Sequence, residues 1–339
     1  MPNLKQKLIK FNQLVEPVID ELLTSDVEAR NIEVALHQIK SGGKRIRPAL
    51  VIISGQIFGC DINDLLYPAA AIEILHNSTL IVDDIIDHSL LRRDVPTTWN
   101  KYGKSIAQCT SFMYIASVFA GLSHANNSPK LIDLYSNTLK VIIDGEIKDI
   151  LFERSGRDDE NFVVENRYKI ITTDDYLQMI GQKTAVLLQA CCQAGAICAG
   201  ADDAQVKAVG EFGFSLGMAF QIRDDILDIF GDEKEFGKKI GKDIIEKKMG
   251  NYVILSAISK LGAKDKSIIM KLLEGESVIT DEDVAVVTKL IIKTDAHDEA
   301  ETLAGTYVNN ALQILDELPQ NESTEQLREI AHFIIERNA

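Results

Sequence analysis

Ser128-Pro129-Lys130-Leu131-Ile132-Asp133-Leu134-Tyr135-Ser136-Asn137-Thr138-Leu139-Lys140-Val141-Ile142 is the stretch that decides the fold. Its serine can cap a helix, and its proline suits the first helical turn, where a backbone N–H would have no partner anyway. From there Leu131, Leu134, Tyr135, Thr138, Leu139, Val141 and Ile142 recur at intervals of three and four, the spacing of one buried helical face. Beyond it none of the seven prolines lies between Pro129 and Pro319. A long proline-free stretch rich in Ala, Leu, Ile, Glu and Lys predicts helix after helix. Thr280 with Asp283 supplies another start signal, a capping box. No run of alternating strands with hairpin turns is evident. The expectation is an all-α chain, a single domain over residues 1–339 with about a dozen helices and no internal repeat or separating linker. Two polar stretches, 154–167 and 231–248, are expected to be loops at a site mouth or on the surface.

The 339 residues carry 51 Asp and Glu against 36 Lys and Arg, a formal charge of −15. That balance excludes broad binding to nucleic acid or to anionic membrane surfaces. With 46% hydrophobic residues the chain has material for a large core. Cys60, Cys109, Cys191, Cys192 and Cys198 lie in apolar stretches without paired C-x-x-C spacing, which predicts small buried thiols in a reducing cytoplasmic setting. Residues 1–10 lack the apolar core of a signal peptide. The longest uncharged run, 184–201, is rich in Ala, Cys and Gly and reads as a packed buried helix; no transmembrane segment is expected.

Leu80-Ile81-Val82-Asp83-Asp84-Ile85-Ile86-Asp87 sets three carboxylates in an apolar helix, with Asp83 and Asp87 on one face. Like charges at that spacing repel, so something positive must compensate. Phe220-Gln221-Ile222-Arg223-Asp224-Asp225-Ile226-Leu227-Asp228 repeats the D-D-x-x-D spacing. If the two helices face each other, six carboxylates line one cavity, and all-oxygen ligands suit Mg²⁺ shared with substrate phosphates. Cationic segments lie near the carboxylates in sequence. Gly42-Gly43-Lys44-Arg45-Ile46-Arg47-Pro48 places three after a glycine pair, Arg92-Arg93 follow the first motif, and Gly237-Lys238-Lys239-Ile240-Gly241-Lys242-Asp243, with Lys247-Lys248, follows the second. Guanidinium forks and lysine ammonium groups both suit phosphate.

Together these elements resemble the trans-isoprenyl diphosphate synthases, the polyprenyl synthase family. The resemblance runs over nearly the whole chain: G-G-K-R-I-R-P from Gly42, E-I-L-H from Glu73, D-D-I-I-D with R-R-D-V-P-T from Asp83 to Thr97, D-G-E from Asp144, K-T at Lys183-Thr184, F-Q-I-R-D-D-I-L-D from Phe220, and G-K-K-I-G-K-D from Gly237. It implies an isoprenoid synthase bundle around a deep central cavity, a homodimer, and head-to-tail condensation of isopentenyl diphosphate with an allylic diphosphate. By carry-over, Lys44, Arg47, His76 and Arg93 hold isopentenyl diphosphate, while Arg92, Lys183, Lys238 and Lys248 hold the allylic diphosphate. Asp83, Asp87 and Asp224 ligate Mg²⁺, three ions with substrate bound, and Asp84, Asp225 and Asp228 complete the metal shell. Thr184 and Gln221 direct oxygens at the allylic carbon. Lys239 and Lys247 are alternatives to Lys238 and Lys248. Departures from the pattern are Asp94 for a glycine, Ser111-Phe112 for Gly-Asp, and Gly250-Asn251-Tyr252 for Thr-x-x-Pro.

Residues four and five before Asp83 lie about one turn, roughly 6 Å, down the tail pocket. They are Thr79 and Ser78, both small, where the family's short-chain members carry aromatics, so the expected product is C20 or longer. Phe112, Tyr114 or Phe119 could still plug the pocket from the next helix, which keeps a C15 farnesyl product as the alternative. A terpene cyclase would lack the second DDxxD and the Gly-Gly-Lys-Arg element. A non-catalytic subunit of a heteromeric synthase would have lost a DDxxD motif, and a phosphohydrolase would need no such apolar pocket.

Overall fold

The computed structural model describes residues 2–231, 240–275 and 277–336. The helices are α1 Pro2–Thr24, α2 Ile32–Lys40, α3 Ile46–Ile57, α4 Ile62–Ile86, α5 Thr98–Tyr102, α6 Lys104–Ser123, α7 Ser128–Phe152, α8 Asn161–Asn166 and α9 Thr173–Ile180. They continue as α10 Val186–Cys198, α11 Asp203–Phe230, α12 Lys242–Ile245, α13 Tyr252–Lys260, α14 Ala263–Glu274, α15 Asp281–Ile291, α16 Ala296–Asp316 and α17 Glu322–Glu336. The all-α class is therefore as expected. Helix α7 already includes Ser128, and the Leu131 N–H bonds the Asn127 carbonyl at 3.2 Å, so the helix is entered from Asn127, one residue earlier than its Ser-Pro signal predicts. The Thr280 capping box is present: Asp283 N–H donates to Thr280 Oγ1 at 3.3 Å and Thr280 N–H to Asp283 Oδ2 at 2.9 Å.

A two-residue hairpin was not expected. Leu91–Arg92 (β1) pairs antiparallel with Val95–Pro96 (β2) around Arg93 and Asp94, whose φ values are 54° and 61°. Positive φ at both central residues is the hairpin turn that glycine, asparagine and aspartate tolerate, which accounts for Asp94 where the family pattern has glycine. Two residues per strand are too few to show an alternating pattern.

The chain forms two compact units, each assembled from three segments: Met1–Leu139, Leu187–Gly213 and Ile314–Glu329 in the first, and Lys140–Val186, Phe214–Gln313 and Ile330–Ala339 in the second. In the first unit α4 packs along α6 and α3 and buries Leu65, Ala69, Ile72 and Ile81. Helix α10 approaches α3 so closely that a Cβ on Gly195 would lie 2.2 Å from the Val51 carbonyl oxygen, which is why that position is glycine. Buried phenols find backbone acceptors, as buried donors must: Tyr114 donates to the Ala35 carbonyl at 2.6 Å and Tyr135 to that of Pro68 at 2.8 Å. Helices α4 and α6 are long and apolar enough by length and composition to cross a membrane, with 67% and 44% of their apolar windows buried.

The second unit is built on Phe152, Tyr176, Met179, Ile222, Ile226, Val253, Ile254, Ile269 and Ile291. Between α9 and α10 the backbone widens into one π-turn, Gly181–Ala185. Helix α7 touches it at Gly145, where a Cβ would come within 2.6 Å of the Lys183 nitrogen. The five cysteines are free thiols; Cys191, Cys192 and Cys198 are buried as expected, whereas Cys109 is exposed on α6, a correction to the expectation of burial.

Candidate active site

In the first unit the DDxxD motif occupies the last turn of α4, with Asp87 as the C-cap. A helix C-terminus carries partial negative charge, so three carboxylates there need a cation. The hairpin supplies it. Arg92 Nε donates to Asp84 Oδ1 at 2.8 Å and Nη2 to Asp83 Oδ2 at 2.9 Å. Asp84 is buried, and burial, opposed by Arg92, raises its carboxyl to about 6.

The Gly42–Pro48 segment lies in the same unit. Gly42 and Gly43 take φ of 97° and 139°, conformations open to glycine, and a Cβ on Gly43 would meet Nη1 of both Arg45 and Arg93 at 2.9 Å. Lys44 is exposed. Arg47 Nε is shut away from solvent without a hydrogen-bond partner. Around His76, burial first and then the guanidinium groups of Arg47, Arg93, Arg92 and Arg45 hold the imidazole well below its usual range, so it is neutral near pH 7. Four arginines thus converge on one neutral histidine. Burial and their mutual repulsion lower Arg93, with Glu73 opposing. Such a cluster, with an unsatisfied donor inside it, is suited to a polyanion.

In the second unit Lys183 sits in the π-turn, a distortion often found at functional positions. Its Nζ bridges Glu146 Oε2 and Asp149 Oδ2, both at 2.7 Å. Thr184 Oγ1 donates to Gln221 Oε1 at 3.4 Å, and Gln221 Nε2 donates to Asp225 Oδ1 at 3.3 Å. Asp224 is half-buried, whereas Asp225 and Asp228 are buried and held by the protein. Tyr176 Oη and Tyr252 N–H both donate to Asp225 Oδ2, at 2.5 and 2.9 Å. The Lys242 and Asp243 N–H groups donate to the two Asp228 oxygens at 3.0 and 3.1 Å, pinning the start of α12. Burial and the neighbouring Asp243 push Asp225 up strongly and Asp228 to about 7. Asp243 is itself held by Asn251 Nδ2 at 2.9 Å. Lys247 Nζ donates to the Gly275 carbonyl, while Lys248 Nζ lies 3.4 Å from Glu246. Lys238 and Lys239 lie outside the described residues.

Sequence reading missed Tyr176, Asp243, Asn251, Asp149 and the Arg92 bridge. Asp243 closes the Gly-Lys-Asp element and Asn251 caps α13, so both had a local signal; Tyr176 had none, its partner Asp225 lying 49 residues along the chain. Among the described residues no three His, Cys, Asp or Glu side chains converge to hold a metal by themselves. Carboxylate oxygens in this arrangement suit a hard divalent ion whose shell is finished by water and phosphate.

The polyprenyl synthetase family profile matches residues 29–291. The chain is 34% identical to a geranylgeranyl diphosphate synthase of Sulfolobus acidocaldarius, over 96% of this chain and 97% of that one. It is also 34% identical to heptaprenyl diphosphate synthase component 2 of Bacillus subtilis, over 96% and 87%. The structure of a geranylgeranyl pyrophosphate synthetase from Pyrococcus horikoshii superposes with a TM-score of 0.89 at 28% identity, covering 99% of each chain.

Proposed function

Since the chain belongs to the polyprenyl synthetase family, we propose that its two DDxxD motifs and its arginine cluster carry out Mg²⁺-dependent condensation of isopentenyl diphosphate with an allylic diphosphate to a trans product of C20 or longer. The observation that carries this reading is Arg47 Nε, buried without a hydrogen-bond partner, with Arg93 at the neighbouring glycine turn and His76 kept neutral by burial and the nearby guanidinium groups. Lys44, Arg47, His76 and Arg93 hold the diphosphate of the isopentenyl substrate. Arg92, Lys183, Lys238 and Lys248 hold that of the allylic substrate; the bond from Lys247 to Gly275 favours Lys248 for the role.

Asp83, Asp87 and Asp224 are the residues to hold Mg²⁺, three ions in the substrate complex, which supply positive charge against the departing diphosphate. Asp84, Asp225 and Asp228 act one step out, through hydrogen bonds and water. Arg92 and Lys183 exchange their carboxylate partners for phosphate oxygens when substrate arrives, and these cations stabilise the leaving group as the allylic C–O bond breaks. The Gln221 and Thr184 oxygens face the resulting allylic cation. The isopentenyl double bond attacks that cation, and the proton then lost goes to the released diphosphate. No protein nucleophile is required.

Product length follows from the α4–α6 contact. Ser78 is buried, and its carbonyl accepts from Ser111 Oγ at 3.2 Å, so small residues meet there. Of the three aromatic candidates for a plug, Phe112 is 77% exposed, Phe119 is 48% exposed, and Tyr114 is tied to Ala35. Relatives named for geranylgeranyl and geranylfarnesyl products agree with an unplugged path. The exposed apolar residues Ile106, Phe112 and Phe119 on α6 support a homodimer, and the five free thiols support a reducing, cytoplasmic setting.

Purified protein given isopentenyl diphosphate, C5 to C15 allylic starters and Mg²⁺ is expected to form C20 or longer chains. Exclusive C15 product would overturn the length assignment. Asp83→Ala and Asp224→Ala are expected to lose condensation with the fold retained, and near-normal turnover in either would overturn the metal assignment.

A further inference from the structure

Arg45 stands between Lys44 and Arg47 yet faces inward. Its side chain is 5% exposed and all three guanidinium nitrogens are engaged. Nε donates to Glu16 Oε1 at 2.7 Å, Nη1 to Glu73 Oε1 at 3.0 Å and to the Gly42 carbonyl at 3.1 Å, and Nη2 to the Ile39 carbonyl at 2.7 Å. Its backbone is left-handed, with φ 49° and ψ 39°, a conformation unfavourable for a side-chain-bearing residue unless its surroundings hold it. Those bonds do so.

The grip reaches the binding residues on both sides. The Gly42 carbonyl is shared by Arg45 and Arg93. Glu73 lies three residues before His76 on α4, and its Oε1 also accepts from Asn77 Nδ2 at 3.1 Å, which fixes its rotamer. Glu16 belongs to α1 and has 32% of its side chain exposed. A single guanidinium therefore joins α1, the end of α2, the glycine turn and α4, and fixes the direction in which Lys44 and Arg47 leave the turn.

We propose that Arg45, held between Glu16 and Glu73, is a positioning residue for the isopentenyl diphosphate subsite, and that α1 acts on that subsite through Glu16. This rests on the assignment of Lys44, Arg47, His76 and Arg93 made above. A positioning role predicts a change confined to one substrate, whereas general loosening of the fold would affect both.

Glu16→Ala is the informative variant, because Glu16 touches no residue of the binding set and is partly exposed. Steady-state kinetics on the full chain, each substrate varied with the other saturating, is expected to show KM for isopentenyl diphosphate raised about tenfold, the effect of one lost charge-assisted bond. KM for the allylic substrate and kcat should stay within about twofold. Glu16→Gln, which keeps the acceptor oxygen, should recover most of the loss. Arg45→Lys should not, because an ammonium cannot reproduce the fork. Lys44→Ala and Arg47→Ala run alongside. If they raise KM for isopentenyl diphosphate while Glu16→Ala does not, the positioning role is overturned and the subsite stands. If none of them raises it, the subsite assignment falls and the inference with it. Equal rises in both substrates' KM for Glu16→Ala would also overturn it.

Discussion

Replacing Arg92 with glutamine tests whether a protein cation occupies the first DDxxD motif before substrate arrives. Arg92 makes two charge-assisted bonds, at 2.8 and 2.9 Å, to carboxylates that are 1% and 21% exposed, while its own side chain is 26% exposed. Each such bond contributes about 1.5–3 kcal/mol when sheltered; partial exposure and the shared donor bring the pair to about 2 kcal/mol together. Any divalent ion that uses Asp83 in the substrate-free protein must displace or share with that guanidinium. Removing it should tighten Mn²⁺ binding at the first motif about tenfold or more, at 1.4 kcal/mol per decade, while lowering metal-free stability by a similar energy. The measurement is free Mn²⁺ by electron paramagnetic resonance, with urea denaturation of the metal-free protein beside it. It is made at pH 8 because Asp84 has a carboxyl near 6 that Arg92 helps to keep ionised. The same variant should raise KM for the allylic diphosphate, since Arg92 is then missing from the phosphate. Mn²⁺ affinities equal within about twofold would refute the competition.

Three further outcomes follow from the same geometry. His76 is held below its usual range, so the unfolded chain takes the proton first; its contribution to stability is complete above about pH 6.5 and is lost at up to about 1.4 kcal/mol per pH unit below it. Asp84 and Asp228, raised to about 6 and about 7, favour the folded state as pH falls, so the quantity to read is the difference between wild type and His76→Asn in urea at pH 7.5 and 5.5; a difference that does not move refutes the neutral assignment. Tyr176→Phe removes the 2.5 Å donor to buried Asp225 and should cost about 1–3 kcal/mol in urea with kcat reduced, whereas unchanged stability and turnover would show that Asp225 needs no such support. Gly195→Ala places a methyl 2.2 Å from the Val51 oxygen and 2.6 Å from the Gly55 nitrogen, so α3 and α10 must part by about 1 Å at about 1–3 kcal/mol or more; an unaltered thermal melt would show that the helices yield freely.

Sequence was most informative where chemistry demands particular residue types at fixed spacing. Both DDxxD motifs fall on helices, the first with Asp87 as its cap, and the Thr280 capping box formed as expected. What it could not show was pairing at long range. Spacing places Asp224, Asp225 and Asp228 on one helix but does not say that Tyr176, 49 residues earlier, takes one of them out of solvent. A π-turn leaves no mark in apolar periodicity, because five residues are too few to shift the phase visibly, so the setting of Lys183 had to come from the structure. The hairpin at Arg92 was hidden for the same reason of length, and with it the partner of Asp83 and Asp84. Cys109 sits in an apolar stretch yet lies on the exposed side of α6, where hydropathy alone does not give direction.

The way the two units share the chain constrains how it can be made. Each passage from one unit to the other falls inside a helix: α7 between 139 and 140, α10 between 186 and 187, α11 between 213 and 214, α16 between 313 and 314, and α17 between 329 and 330. Neither unit is a contiguous fragment, so neither can be excised, expressed alone or exchanged with a relative by cutting at a loop. A ribosome must deliver residue 314 and those beyond it before the first unit has all its segments, although most of that unit emerged long before. Its α3 then waits for partners encoded far downstream, α10 at Gly195 and the Asn321 amide that donates to the Ile57 carbonyl at 2.9 Å, and aggregation during synthesis competes with folding over that interval.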